Sequence, residues 1–193
     1  MTSIERRFHL LASIRYLSRN QVPGAIVECG VWRGGSVMLA LSALIEEGIR
    51  DRDIYLYDTF EGMPDPGGED IDAAGVSAHA RLRAESSGKD SSNVWAIATL
   101  DEVRRNLSAT DYPAELIHCV VGPVEATIPS TIPQQIALLR LDTDWYGSTS
   151  HELHYLYPKV VSGGVVIIDD YGYWRGARRA VDEVITRSND TIL

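Results

Sequence analysis

Apolar residues fall along this chain in short, nearly continuous runs, and the stretches between them carry helical spacing. Ala25-Ile-Val-Glu-Cys29, Ile54-Tyr-Leu-Tyr57, Leu116-Ile-His-Cys-Val-Val121, Ile136-Ala-Leu-Leu-Arg-Leu141 and Val165-Val-Ile-Ile168 each have strand length. Runs that are continuous rather than alternating suit parallel strands covered on both faces. Helical patterns follow at about 36–47, 78–85, 99–107, 146–157 and 173–187, with Pro158 and Ser162-Gly163-Gly164 closing the fourth as a turn. Strands alternating with helices predict a doubly wound, mostly parallel α/β sheet in one domain spanning 1–193. Ahead of it, residues 3–19 place Ile4, Phe8, Leu11, Ile14 and Leu17 at helical spacing. This amphipathic helix is expected to pack on the domain, with pairing to a second copy or covering a cofactor as the other uses of such a face.

The run ends carry the chemistry. The strand ending at Leu141 is followed by Asp142, and the one ending at Ile168 by Asp169 and Asp170. Both belong to one βαβ unit, so the three carboxylates are expected at the carboxyl edge of the sheet, where open α/β folds bind ligands. Converging carboxylates need positive charge between them, and a hard divalent cation with oxygen ligands, Mg²⁺ first, meets that need. Asp144 reads instead as a cap for the helix near Tyr146.

At the first strand end, Gly30-Val-Trp-Arg-Gly34-Gly35-Ser36 opens a helix, and the second strand ends in Asp58, 28 positions after Gly30. A glycine turn lets backbone approach a ligand at a helix N-terminus, and an acid after the second strand can accept from both ribose hydroxyls. The turn lacks the G-x-G-x-x-G spacing of dinucleotide sites, so an adenosyl ligand without a pyrophosphate, such as S-adenosylmethionine, fits better than NAD.

The polar Gly/Pro-rich segment 59–76 reads as a lid loop. His79, His151 and His154 are the candidate general bases, while His118, inside a strand, reads as a satisfied core residue. Trp145, Tyr146, Tyr171, Tyr173 and Trp174 follow the acidic strand ends and are candidates for a pocket wall or for edge packing.

Composition narrows the partners. A formal net charge of -9 with no compensating basic run excludes backbone binding of nucleic acid. Cys29 and Cys119 sit in apolar runs as small hydrophobes, no stretch reaches membrane-spanning length, and the N-terminus lacks a signal core, so a cytoplasmic protein is expected. The N-terminal helix and an unpaired edge strand offer surface for homo-oligomer formation.

Four stretches, Val27-Glu-Cys-Gly-Val-Trp-Arg-Gly-Gly-Ser36, Tyr57-Asp-Thr-Phe-Glu-Gly-Met-Pro64, Leu139-Arg-Leu-Asp-Thr-Asp-Trp-Tyr-Gly-Ser-Thr149 and Tyr157-Pro-Lys-Val-Val-Ser-Gly-Gly-Val-Val-Ile-Ile-Asp-Asp-Tyr171, resemble the macrocin O-methyltransferase family, in order, over residues 20–187. The resemblance implies S-adenosylmethionine- and Mg²⁺-dependent methylation of a hydroxyl on a sugar or other vicinal-oxygen natural product. By it, Glu28, Gly30, Gly34 and Ser36 would line the methionine end of the cofactor, Asp58 would take the ribose, and Asp142, Asp169 and Asp170 would hold the metal. The family fold continues with a final pair of strands, so this sheet is expected to lack them or to close through a partner. Two other readings stand beside it. Asp142-Thr-Asp144 spells the D-x-D of metal-dependent glycosyltransferases, and the same fold serves as a catalytically silent binding module.

Overall fold

Five apolar runs become five parallel strands in the computed structural model, which describes residues 3–86 and 95–187. In chain order the elements are α1 (Ile4–Arg19), β1 (Ala25–Cys29), α2 (Gly35–Glu46), β2 (Ile54–Asp58), α3 (Ala78–Ser86), α4 (Leu100–Ser108), β3 (Ile117–Val121), α5 (Val124–Thr127), β4 (Ile136–Leu141), α6 (Tyr146–Leu156), β5 (Val160–Ile168) and α7 (Arg175–Arg187). The strand order is β3-β2-β1-β4-β5. The chain runs outward from β1 to β3 and then returns beside β1 as β4, which leaves a topological switch point between the carboxyl ends of β1 and β4.

β1 and β4 are buried along their whole length, as expected of central strands that carry helices on both faces. Ile26, Ile54, Leu56 and Leu138 meet α1, α2 and α4 on one face. On the other, Val27, Cys29, Tyr57, Leu139 and Leu141 meet α6 and α7. Thr99 caps α4, its side chain accepting from Glu102 N, with Asp101 and Glu102 in the first turn where the helix dipole favours acid. No helix among the described residues is long and apolar enough to cross a membrane. A further strand, which the chain order would start at about 191–193, falls outside the described residues.

Three local expectations change. Ser162-Gly163-Gly164 does not separate helix from strand. It forms a bulge inside a nine-residue β5, where Ile136 pairs with Val160 and Leu138 already pairs with Val165. Gly163 takes φ +78, and a Cβ on Gly164 would stand 2.7 Å from Val160 Cγ1, so both glycines are needed to double the chain back. In α1 the buried residues are Leu10, Ile14 and Leu17, each stabilising by about 1.5–3 kcal/mol, whereas Ile4 and Phe8 are exposed. The helix packs from Leu10 onward and leaves residues 4–9 exposed. His118 pairs with Asp53 at 2.7 Å on the edge strand β3, satisfied but outside the core.

Candidate active site

The carboxyl ends of β1, β2 and β4 are drawn together by backbone. Asp142 N donates to Cys29 O, and Gly30 N donates to Tyr57 O, both at 2.9 Å. Gly30 sits at φ +80, and a Cβ there would lie 2.0 Å from Asp142 O, so only glycine lets the first turn pass this close to β4. Asp58 ties the same turn to β2: Oδ2 accepts from Val31 N (2.6 Å) and Trp32 N (3.0 Å), and Oδ1 from Phe60 N (2.8 Å). Three of the roughly four acceptor directions of the carboxylate are thereby used.

Asp142, Asp169 and Asp170 each offer an oxygen, all within 4.8 Å of one another. The positive charge they require is partly supplied from within the sheet, by a residue hidden in an apolar run. Arg140 of β4, its side chain 4% exposed, places Nη1 2.7 Å from Glu28 Oε1 and 2.9 Å from Asp142 Oδ2, and Nη2 3.0 Å from Asp169 Oδ1. The last contact is close but off the hydrogen-bond direction, leaving Nη2 without a formal acceptor. Arg6 of α1 adds a second guanidinium, with Nη1 2.7 Å from Asp169 Oδ2.

Two cations do not balance Glu28, Asp142, Asp144, Asp169 and Asp170. Burial raises Glu28 to about 7 against the pull of Arg140, and raises Asp142 to about 6. Asp144 rises to about 7 through burial and the charge of Asp142, and Asp170 to about 9 through burial and then Asp144, Asp142 and Asp169. Burial alone would lower Arg140, but its carboxylate partners reverse that and raise it. A set of hard oxygen donors still short of positive charge fits a divalent cation.

The segment 59–76 is polar, yet it is docked. Asp70, 1% exposed, accepts from Tyr146 N at 2.8 Å, and so it supplies the N-terminal cap of α6 that Asp144 was expected to give. Asp70 Oδ2 also accepts from Gly67 N, Asp72 pairs with Arg81, and Asp72 bridges Trp174 in antiparallel fashion. Trp145 Nε1 donates to Pro64 O at 2.9 Å. Gly176 at the start of α7 makes room for this packing, since a Cβ there would meet Asp70 Oδ1 at 2.2 Å. Asp144, at φ 64, accepts from Trp174 Nε1 at 2.7 Å, while its own N–H donates to Asp170 Oδ2 at 3.1 Å.

A cavity of about 270 Å³ opens at the switch point, lined among others by Gly30, Trp32, Asp58, Met63, Glu125, Asp142 and Asp144. Of the expected cofactor contacts, Gly30 and Asp58 line it and Glu28, Gly34 and Ser36 do not. Glu28 is committed to Arg140 beneath the floor, and Gly34, at φ +79, faces Val103 and Leu107 of α4. None of the expected bases lines the cavity. His151 Nε2 lies 2.9 Å from Ile128 O, His154 packs edge-on to Tyr155, and His79 is exposed on α3. Besides the Tyr57 phenol, the titratable groups on the wall are the carboxylates Asp58, Glu125, Asp142 and Asp144, with Glu125 accepting from Ser148 Oγ at 2.8 Å. Of the aromatic residues after the strand ends, Trp145 and Trp174 pack against each other under the docked segment, and Tyr171 and Tyr173 are exposed.

Known proteins resemble this chain in sequence and in fold. The chain is 37% identical over 183 residues to the demethyldecarbamoylnovobiocin O-methyltransferase of Streptomyces niveus, covering 95% of this chain and 66% of that protein. It is 33% identical over 171 residues to the 8-demethyl-8-(2,3-dimethoxy-alpha-L-rhamnosyl)-tetracenomycin-C 4′-O-methyltransferase of Streptomyces olivaceus, covering 89% and 62%. The chain thus spans just under two thirds of the length of these curated relatives. The solved structure of the O-methyltransferase NovP superposes with a TM-score of 0.80 at 35% identity, over 96% of this chain and 72% of that one. The family description Macrocin-O-methyltransferase (TylF) matches residues 1–191, and this chain belongs to that family.

Proposed function

We propose that this protein transfers the methyl group of S-adenosylmethionine to a hydroxyl of a sugar or other vicinal-oxygen natural product, assisted by Mg²⁺. The observation that carries the reading is the double placement of Asp142, which lines the cavity and also belongs to the three-aspartate cluster. A cofactor in that cavity would lie beside a cation held by Asp142, Asp169 and Asp170. Family membership and the two curated relatives, one of them named for a rhamnosyl-bearing tetracenomycin, support the class of reaction and acceptor.

Gly30 and Asp58 would hold the adenosyl part, and Trp32, Tyr57, Met63 and Pro64 would keep water from the sulfonium. Mg²⁺, when bound, would lower the pKa of the attacked hydroxyl and fix its neighbouring oxygen. Asp144 is the residue we assign to receive the proton: it lines the cavity, is oriented by Trp174 Nε1, and is raised to about 7, close to working pH. The docked segment 59–76 would act as the lid. The D-x-D glycosyltransferase reading falls with family membership, and also with the side chain of Asp144, which turns to Trp174.

Calorimetric titration with S-adenosylhomocysteine tests the frame. Saturable binding to the wild type is expected, weakened roughly tenfold or more in Asp58→Ala, which removes a charged acceptor. A folded wild-type protein that does not bind would sink the proposal. For the base, Asp144→Asn is expected to lower kcat by about 100-fold while S-adenosylhomocysteine and Mg²⁺ affinities stay within a few-fold. The wild-type acid limb should lie at or below pH 7 and be missing in the variant; an unchanged pH–rate profile would return the role to another residue.

A further inference from the structure

Each carboxylate oxygen of Asp169 faces a guanidinium. Oδ1 lies 3.0 Å from Arg140 Nη2, and Oδ2 lies 2.7 Å from Arg6 Nη1, while Arg6 Nη2 donates to the main-chain oxygen of Asp169 at 3.0 Å. Each oxygen keeps acceptor directions free, but a cation that takes Asp169 as a ligand comes up against both guanidinium charges, and the two are not equally held. Arg140 is 4% exposed, projects from a central strand and is also engaged by Glu28 and Asp142. Arg6 is 47% exposed, stands in the first turn of α1, and directs its side chain to Asp169 alone among the ion pairs of the described residues. A divalent ion and a guanidinium on one carboxylate repel each other, and the outer, more exposed charge yields.

The helix is built to let it go. Its buried anchors, Leu10, Ile14 and Leu17, all lie in the second and later turns, while Ile4 and Phe8 are 69% and 65% exposed. Among the described residues, the side-chain polar link from this first turn to the body of the protein is that of Arg6 to Asp169. Releasing Arg6 frees residues 4–9 without disturbing the packing of the rest of α1.

We infer that Arg6 is a displaceable counter-cation: it closes Asp169 in the metal-free protein and surrenders that oxygen to the divalent ion, so that the first turn of α1 loosens as the metal site fills. This rests on the reading of Asp142, Asp169 and Asp170 as metal ligands.

The test is Mg²⁺ titration of the cofactor-free protein by calorimetry, for the wild type, Arg6→Gln and Asp169→Asn, with hydrogen exchange of residues 4–9 followed in parallel. Arg6→Gln is expected to bind Mg²⁺ about threefold to tenfold more tightly, the range expected for removal of a partly exposed charge competing for one carboxylate. In the wild type, amides 4–9 should exchange faster at saturating Mg²⁺; in Arg6→Gln they should be fast from the outset and insensitive to it. Equal or weaker binding by Arg6→Gln, or unchanged exchange in the wild type at saturation, overturns the inference while leaving the metal site intact. Failure of the wild type to bind Mg²⁺, or binding that survives Asp169→Asn, overturns the metal reading and the inference with it.

Discussion

Asp142→Asn is expected to abolish Mg²⁺-stimulated methyl transfer, lowering kcat/KM by at least about 1000-fold, or roughly 4 kcal/mol of transition-state stabilisation. The side chain of Asp142 is 31% exposed against 5% for Asp169, so it is the more open of these two proposed ligands and the one that borders the cavity. An amide of the same shape keeps an oxygen but loses the charge, and the Mg²⁺ midpoint should rise by about 100-fold or more. S-adenosylhomocysteine affinity should fall less than tenfold, because Gly30 and Asp58 are untouched. The stability sign is opposite to the activity sign. Burial raises Asp142 to about 6, so this group contributes stability that is fully present below its ordinary pKa, near 3.9, and lost as pH rises through about 6. At pH 8 the metal-free variant should therefore melt no lower than the wild type, while the Mg²⁺-dependent rise in Tm disappears. Retained Mg²⁺ stimulation, or a Tm that still climbs with Mg²⁺, would show that the cation does not use Asp142.

The parts legible in the sequence were those in which a local pattern coincides with the physics of burial. Central parallel strands bury both faces, so β1 and β4 read as near-continuous apolar runs, and the acids that close β2, β4 and β5 mark the ligand edge without any long-range knowledge. Long-range pairing is where legibility ends. Arg140 was visible inside the β4 run, but its meaning comes from Glu28, 112 positions away on the neighbouring strand. An arginine in an otherwise apolar run between two acidic strand ends was the available signal. Segment 59–76 is held by Asp70 and Asp72 capping and pairing with groups far along the chain, which no periodicity announces. The histidines were proposed on residue type and on their place after Asp142 and after the lid, and which of them border the cavity depends on long-range packing: none does, while Asp144, raised by burial to about 7, does. Helical spacing marked α1 as amphipathic but could not say which half of it meets the sheet.

Arg140→Met should produce the largest loss of stability in the molecule. The guanidinium is the shared partner of Glu28, Asp142 and Asp169, and its side chain is 4% exposed, so solvent cannot screen what its removal uncovers. Breaking a buried ion pair from one side costs about 3–5 kcal/mol, which for a domain of this size corresponds to a fall in Tm of roughly 6–20 °C. The size of the effect should depend on pH. Glu28 is raised to about 7 even with Arg140 beside it, and without that partner it rises further. At pH 6 the orphaned carboxyls escape much of the penalty by protonating; at pH 8.5 they must either ionise while buried or hold a proton that the unfolded chain has released, and the variant should lose more. Mg²⁺ should restore more Tm in Arg140→Met than in the wild type, because a cation on Asp142 and Asp169 replaces part of the missing charge, although it leaves Glu28 unpaired. Arg140→Lys should fall between, since a single ammonium cannot reach three carboxylates as a planar fork does. Thermal melts of the three proteins at pH 6 and 8.5, with and without Mg²⁺, decide the matter. A fall in Tm that is equal at both pH values and unmoved by Mg²⁺ would mean that Arg140 fills space in the sheet and that the charge balance of the aspartates is set elsewhere.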